Sequence, residues 1–125
     1  MEVIDTDIFV DGLRGLPQAV SYFKKLKPEE VLFSAVTETE LFAGEACSDP
    51  KKSENLSHFL ALYSKVPLGN PIAETAGTFK RAYGLKTPDA IIAATAFHTS
   101  SALITRNLKD FEKVKEIEIK SPYPA

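Results

Sequence analysis

Short apolar runs, each followed by a stretch of helical periodicity, constrain this chain more than any other feature. Val31-Leu32-Phe33 and Ala102-Leu103-Ile104 are continuous rather than alternating, as strands buried on both faces are. Val3-Ile4 reads as a very short first strand. Val66-Pro67-Leu68 reads as another, its proline placing it at a strand end or a sheet edge. Ile117-Glu118-Ile119 alternates like a last, edge strand. Between these runs, Gly12 and Gly15 mark a short helix or turn. A helix from Leu16-Pro17 to about Leu26 carries Ala19, Val20, Phe23 and Leu26 at helical spacing. Thr37 and Glu40 have capping-box spacing and open a helix through Leu41-Phe42-Ala43. A second, from about residue 51 to 63, sets Leu56, Phe59, Leu60 and Tyr63 on one face, so that residues 41–63 form a hairpin or helical arm. Asn70-Pro71 starts a further helix closed near Gly84. The order β-α-β-α-α-β-α-α-β-β predicts an α/β fold of one domain, residues 1–125. Its parallel central sheet is flanked by helices on both faces, in three layers.

Asp89-Ala90-Ile91-Ile92-Ala93-Ala94-Thr95-Ala96 is almost wholly apolar and small, hence a buried helix packed closely on its neighbours. Thr87 is placed as its N-cap and Pro88 at its first turn. Asp89 at the mouth of such a helix has two readings. It complements the helix dipole, worth about 0.3–1 kcal/mol at an exposed site, or it holds a cation. The other acids bear on that choice. Asp5 follows the first strand, Glu40 opens the helix after the second, and Asp110 lies in the turn Asn107-Leu108-Lys109-Asp110-Phe111 after the strand at 102–105. In a parallel sheet such strand ends share one edge, where ligands of open α/β sheets bind. Singly, Asp5, Glu40 and Asp110 have ordinary capping explanations. Converging at one edge, they repel at a cost on the order of 1 kcal/mol or more per close pair. A hard divalent cation removes that cost, and an all-oxygen set suits Mg²⁺ or Mn²⁺ rather than zinc.

Composition excludes other classes. With 44% hydrophobic and 26% charged residues the chain is that of an ordinary globular protein. Its lone cysteine, Cys47, precludes an internal disulfide or Cys-rich zinc site and fits a reducing compartment. No signal-like h-region and no run of 18 apolar residues is present, so a cytoplasmic, non-membrane protein is expected. The net charge of −2 opposes bulk electrostatic binding of nucleic acid. The lysine clusters at 24–27 and 51–52, and Lys80, Arg81 and Lys86, read as solvated faces. His58 and His98 have no partners at triad spacing, and no Gly-rich phosphate loop occurs.

Four blocks occur in order: Ile4-Asp5-Thr6-Asp7-Ile8-Phe9-Val10-Asp11, Ser34 through Gly44, Asp89 through Ala96, and Leu103-Ile104-Thr105-Arg106-Asn107-Leu108-Lys109-Asp110-Phe111. Together they resemble a PIN-domain ribonuclease, specifically a VapC-type toxin of a toxin–antitoxin pair, over essentially the whole chain. The resemblance implies a Mg²⁺-dependent endoribonuclease with Asp5, Glu40 and Asp89 as metal-binding acids. Where many relatives carry a fourth Asp, this chain has Asn107, so Asp110 is the expected substitute, which puts a second metal position in doubt. Thr6, Asp7, Thr105 and Asn107 are the expected supports of those ligands. Arg14, Arg106 and Lys109 are the expected RNA-phosphate contacts. The implied partners are an RNA substrate, a VapB-type antitoxin whose C-terminal segment covers the acidic pocket, and a second copy of the chain. The apolar arm at 41–63 offers a surface for either protein contact.

Rival classes fit less well. A receiver domain needs a phosphoacceptor Asp after the third strand, and residues 66–70 hold none. A dehalogenase-like phosphatase using Asp5-x-Asp7 wants Thr or Val where Phe9 stands. A PIN domain of RNA processing without an antitoxin, and one reduced to a non-catalytic binding module, remain as further readings.

Overall fold

The computed structural model describes residues 1–124; the last residue of the expected 1–125 domain lies outside them. Five strands, β1 (Glu2–Ile4), β2 (Val31–Ser34), β3 (Ser64–Val66), β4 (Ala102–Ile104) and β5 (Ile119–Lys120), form one sheet in the order β3-β2-β1-β4-β5. Every neighbouring pair is parallel. Among the described residues, seven α-helices intervene: α1 (Thr6–Leu13), α2 (Pro17–Lys25), α3 (Ala35–Phe42), α4 (Pro50–Leu60), α5 (Asn70–Tyr83), α6 (Thr87–His98) and α7 (Leu108–Phe111). The chain lays β2 and β3 on one side of β1 and then returns to lay β4 and β5 on the other. The order therefore reverses between β1 and β4, and the crevice at their carboxyl ends is where such sheets bind ligands.

Strand side chains alternate between two buried cores, which is why the apolar runs are continuous. Val3, Leu32 and Leu103 enter a core with Ile72, Phe79, Ile92 and Phe111. Their neighbours Ile4, Val31, Phe33 and Ile104 enter a second with Ile8, Phe9, Leu56 and Leu60. The inner strands β1, β2 and β4 thus carry apolar residues at successive positions, because both of their faces are dry. Phe9 centres the second core, its ring 5.4 Å from Phe23, 5.8 Å from Phe33, 6.1 Å from Phe59 and 6.2 Å from Tyr63. Gly12 lets α1 approach α2 there, since a Cβ would stand 2.8 Å from the Phe23 ring.

The expected three-layer α/β/α fold is present, with local departures. α3 begins at Ala35, capped by the Ser34 hydroxyl, which accepts from Val36 N–H at 3.1 Å. The Thr37/Glu40 spacing is not a capping box. Ser34 ends β2 and caps the helix at once, leaving Thr37 fully buried inside α3 and Glu40 in its second turn. Thr87 is likewise the first residue of α6 rather than its cap, and Asn70 the first of α5, because the backbone of Lys86 and of Gly69 already turns extended at those places. Gly84, at φ +68°, closes α5 in the left-handed conformation as expected. Residues 41–63 do not project as an arm: Leu41, Leu56 and Leu60 are buried in the Phe9 core, because their apolar face has that sheet face to cover.

Truncating Phe9 to Ala should cost about 3–5 kcal/mol, the range for removing a central core aromatic. Urea unfolding of Phe9→Ala against the parent measures it, and a loss below about 1 kcal/mol would contradict this account of the core.

Candidate active site

Asp5 is the last thing β1 delivers. Its backbone N–H bonds Ile104 O at 2.9 Å, continuing the β1–β4 ladder, and its side chain caps α1 by accepting from Thr6 N–H at 2.8 Å. The other carboxylate oxygen accepts from the Thr105 hydroxyl at 2.7 Å, one strand away and 100 residues later. Asp5 is only 5% exposed.

Around it, Thr6, Asp7, Val10, Glu40, Asp89, Arg106 and Asn107 line a depression of about 310 Å³ at the carboxyl edge of the sheet. The Thr6 hydroxyl lies 2.7 Å from Glu40 Oε1 and 2.9 Å from Thr37 Oγ1; with one proton, it donates to the carboxylate and accepts from Thr37. Asp7 Oδ2 accepts from Arg106 N–H at 3.1 Å, whereas its Oδ1 is buried with no donor. Asn107 Nδ2 donates to Asp110 Oδ2 at 2.9 Å, and Asn107 N–H donates to Thr105 Oγ1 at 2.9 Å.

The electrostatics follow from burial and like charge. Burial, then the neighbouring Asp7 and Asp89 carboxylates, push the Asp5 carboxyl from its ordinary 3.8 up to about 7 against the opposing bonds from Thr105 and Thr6. Asp7 is raised chiefly by burial, with the Arg106 N–H and guanidinium opposing. Asp89 is raised by burial and then by Glu40 and Asp110, with Lys86 opposing. A buried group raised in this way binds its proton more tightly folded than unfolded.

The structure brings Asp5, Glu40, Asp89, Thr6, Asp7, Arg106 and Asn107 to one depression, with Thr105 beneath and Asp110 at its rim through Asn107. Among the described residues, no three acidic, histidine or cysteine side chains clasp a single point directly; Asp5, Asp7, Glu40 and Asp110 instead accept from a hydroxyl or an N–H. An orphaned buried Asp7 oxygen and an all-oxygen donor set suit a hard cation that keeps part of its water shell and takes only one or two carboxylates directly.

The expected basic contacts fare differently. Arg14 caps the far end of α1, about 12 Å along the axis from the depression by helix rise. Lys109 is exposed on α7 and is not part of the lining. The Arg106 guanidinium is committed to Asp11, Nε to Oδ2 at 2.6 Å and Nη2 to Oδ1 at 3.2 Å. Sequence reading missed three participants: Thr37, Asp11 and Tyr123, whose hydroxyl donates to Asp11 Oδ2 at 2.6 Å. Asp11 was findable, lying one helical turn from Asp7; Tyr123, in a Pro-flanked tail, carried no signal.

A parallel sheet reversing at a carboxylate-lined crevice defines the class of fold, and a family model of the PIN domain matches residues 3–117. The chain belongs to the PIN domain family. It is similar to Ribonuclease VapC19 of Mycobacterium tuberculosis, 31% identical over 128 aligned positions that cover 94% of this chain and 98% of the relative. Among solved structures it superposes on a toxin–antitoxin complex from Klebsiella pneumoniae with a TM-score of 0.86, 28% identity and full coverage of both chains. It also superposes on FitAcB from Neisseria gonorrhoeae, at TM-score 0.80 and 26% identity, again over the whole of both chains. DNA-bound VapBC from Salmonella typhimurium, at 18% identity, shares the fold, with a TM-score of 0.87 over 98% of each chain.

Because folding raises the Asp5 pKa, its contribution to stability is full below pH 3.8 and is lost as pH rises toward about 7. In EDTA, the urea midpoint should therefore fall between pH 4 and pH 7, with the fall markedly smaller in Asp5→Asn. An equal fall in both proteins would remove Asp5 as its source.

Proposed function

We propose that this PIN domain is a divalent-metal-dependent endoribonuclease, the toxin of a type II toxin–antitoxin pair. The observation that carries the reading is the convergence of Asp5, Asp7, Glu40 and Asp89 on one depression at the β1/β4 crevice. The likeness to a ribonuclease across nearly the full length of both chains supports it.

Asp5, Asp89 and Glu40 would hold the cation, one or two directly and the rest through its water shell, with the unpartnered Oδ1 of Asp7 as a further acceptor and Asp110 contributing through Asn107. Mg²⁺, or Mn²⁺ in its place, supplies a water of lowered pKa and positive charge against the crowded phosphorus of in-line hydrolysis. The chain's own part is placement. Thr105 and the Thr6 N–H fix both oxygens of Asp5, so that its carboxylate cannot rotate away as charge enters the crevice. Through Thr6, buried Thr37 orients Glu40 from α3, so a residue on an exposed helix face is aimed inward. Deprotonating Asp5 is a precondition for binding a cation, and its raised proton affinity makes binding strengthen as pH rises through about 7.

The proposed protein partner is an antitoxin, in keeping with the toxin–antitoxin complex this chain superposes on. An apolar groove of about 490 Å³ between α1, α2 and α4, lined by Leu13, Val20, Phe23, Phe59 and Tyr63 with Lys24 at its edge, is the surface for an amphipathic antitoxin segment. A second copy of the chain completes the assembly. Among the described residues, no helix is long and apolar enough to cross a membrane.

Purified protein should cleave total cellular RNA with Mg²⁺ and not in EDTA. Asp5→Ala and Asp89→Asn should abolish cleavage, and Thr6→Val should lower it about 10–100-fold, as loss of a ligand-orienting group does. Cleavage that persists in both acid variants, or proceeds in EDTA, refutes the mechanism. Co-purification with the product of a small adjacent gene, and relief of inhibition when it is removed, tests the toxin assignment.

A further inference from the structure

Three consecutive residues after β4 each hold one of the acids. The Thr105 hydroxyl donates to Asp5, the Arg106 backbone N–H to Asp7, and the Asn107 side-chain amide to Asp110. Asn107 N–H also closes on Thr105 Oγ1, so the three act as one turn. Whatever fixes this turn therefore fixes several carboxylates at once.

Outside the depression, the turn is moored through the Arg106 side chain. Its guanidinium grips both oxygens of Asp11, a geometry far more directional than a single-point lysine contact. Asp11 is 9% exposed, and the Tyr123 hydroxyl, 2.6 Å from Oδ2, adds a further donor. The Tyr123 ring packs on Tyr22, centroids 6.3 Å apart, and on the Phe9 core, so the tail after β5 is anchored by apolar contact as well. Asp7 and Asp11 lie one turn apart on α1, and Arg106 binds them separately: backbone to Asp7, side chain to Asp11. With Asp11 in place, the one guanidinium lining the depression is turned outward onto Asp11 and the acids keep their negative charge. Asp7, already bound by the Arg106 backbone N–H, is the next carboxylate whose charge acts on that guanidinium, and a guanidinium bound there competes with any metal ion for the same charge.

We propose that Asp11 and Tyr123 are positioning residues of the acidic site: by holding the Arg106 guanidinium they set the 105–107 turn and keep the arginine off the carboxylates. For catalysis this rests on the ribonuclease reading above; for geometry it stands alone. Neither residue touches substrate, and the C-terminal tail becomes part of the site's construction.

The test uses the full-length protein with Tyr123→Phe, which removes one hydroxyl and leaves the ring, and Asp11→Asn. Three quantities are read: amide exchange of Arg106 by NMR in EDTA, Mn²⁺ affinity by titration, and steady-state cleavage of a single-stranded RNA. In Tyr123→Phe, Arg106 exchange should quicken about tenfold or more. Mn²⁺ should bind several-fold more weakly, and kcat should fall about 10–100-fold with KM changed less than twofold, the effect of losing an outer support. Asp11→Asn should exceed Tyr123→Phe in all three; if it does not fold, Tyr123→Phe decides the matter. Unchanged Arg106 exchange and Mn²⁺ affinity in Tyr123→Phe overturn the proposal, as does a fall in thermal stability with kcat intact at a permissive temperature. If the parent protein cleaves no RNA while the exchange and Mn²⁺ effects appear, the ribonuclease reading falls and the positioning role stands.

Discussion

The bond from the Thr105 hydroxyl to the Asp5 carboxylate is what the rest of the site depends on. It exists only because β1 and β4 pair in parallel with Ile4 opposite Ile104, so that the residue following each strand meets its counterpart. Slipping β4 by one residue against β1 would swap the faces of Leu103 and Ile104 relative to Val3 and Ile4 and mix the two cores. The apolar burial that fixes the sheet therefore also fixes the first contact of the acidic crevice. Fold and site share a single constraint.

Around that contact the molecule holds like charges together with hydrogen bonds. Asp7 and Asp89 raise the proton affinity of Asp5, Asp7 also raises that of Asp89, and burial adds to the effect at all three. Threonine hydroxyls at 6, 37 and 105 and the Arg106 N–H offset part of the strain without contributing charge. Arg106, the cation that lines the crevice, is engaged by Asp11, which also accepts from Tyr123. Such a crevice sacrifices stability for a strong local field, as functional sites commonly do.

Much of this was legible in the chain itself. Continuous apolar runs at Val31–Phe33 and Ala102–Ile104 could only be strands covered on both sides, and Gly84 could only end a helix. Asp5, Glu40, Asp89 and Asp110 fell after strand ends or at helix starts, hence at one edge of a parallel sheet. Boundaries misled where two local signals competed. Thr37 was expected to open α3, whereas Ser34 caps it because β2 ends there. Residues 41–63 were expected to form a hairpin or helical arm, and their apolar face packs into the Phe9 core.

The sequence by itself determined the layers of the fold and the edge at which its acids gather, because both follow from periodicity and from strand direction. Only the tertiary structure decided which oxygens of Asp5, Asp7, Glu40 and Asp110 are satisfied, that Asp7 Oδ1 is left bare, and that the Arg106 guanidinium binds Asp11. Those are matters of angstroms between residues as far apart as Asp5 and Thr105, or Asp11 and Tyr123. Hydrogen bonding is short-ranged and directional, so it leaves no periodic trace along a chain, whereas burial, which acts on whole faces, does.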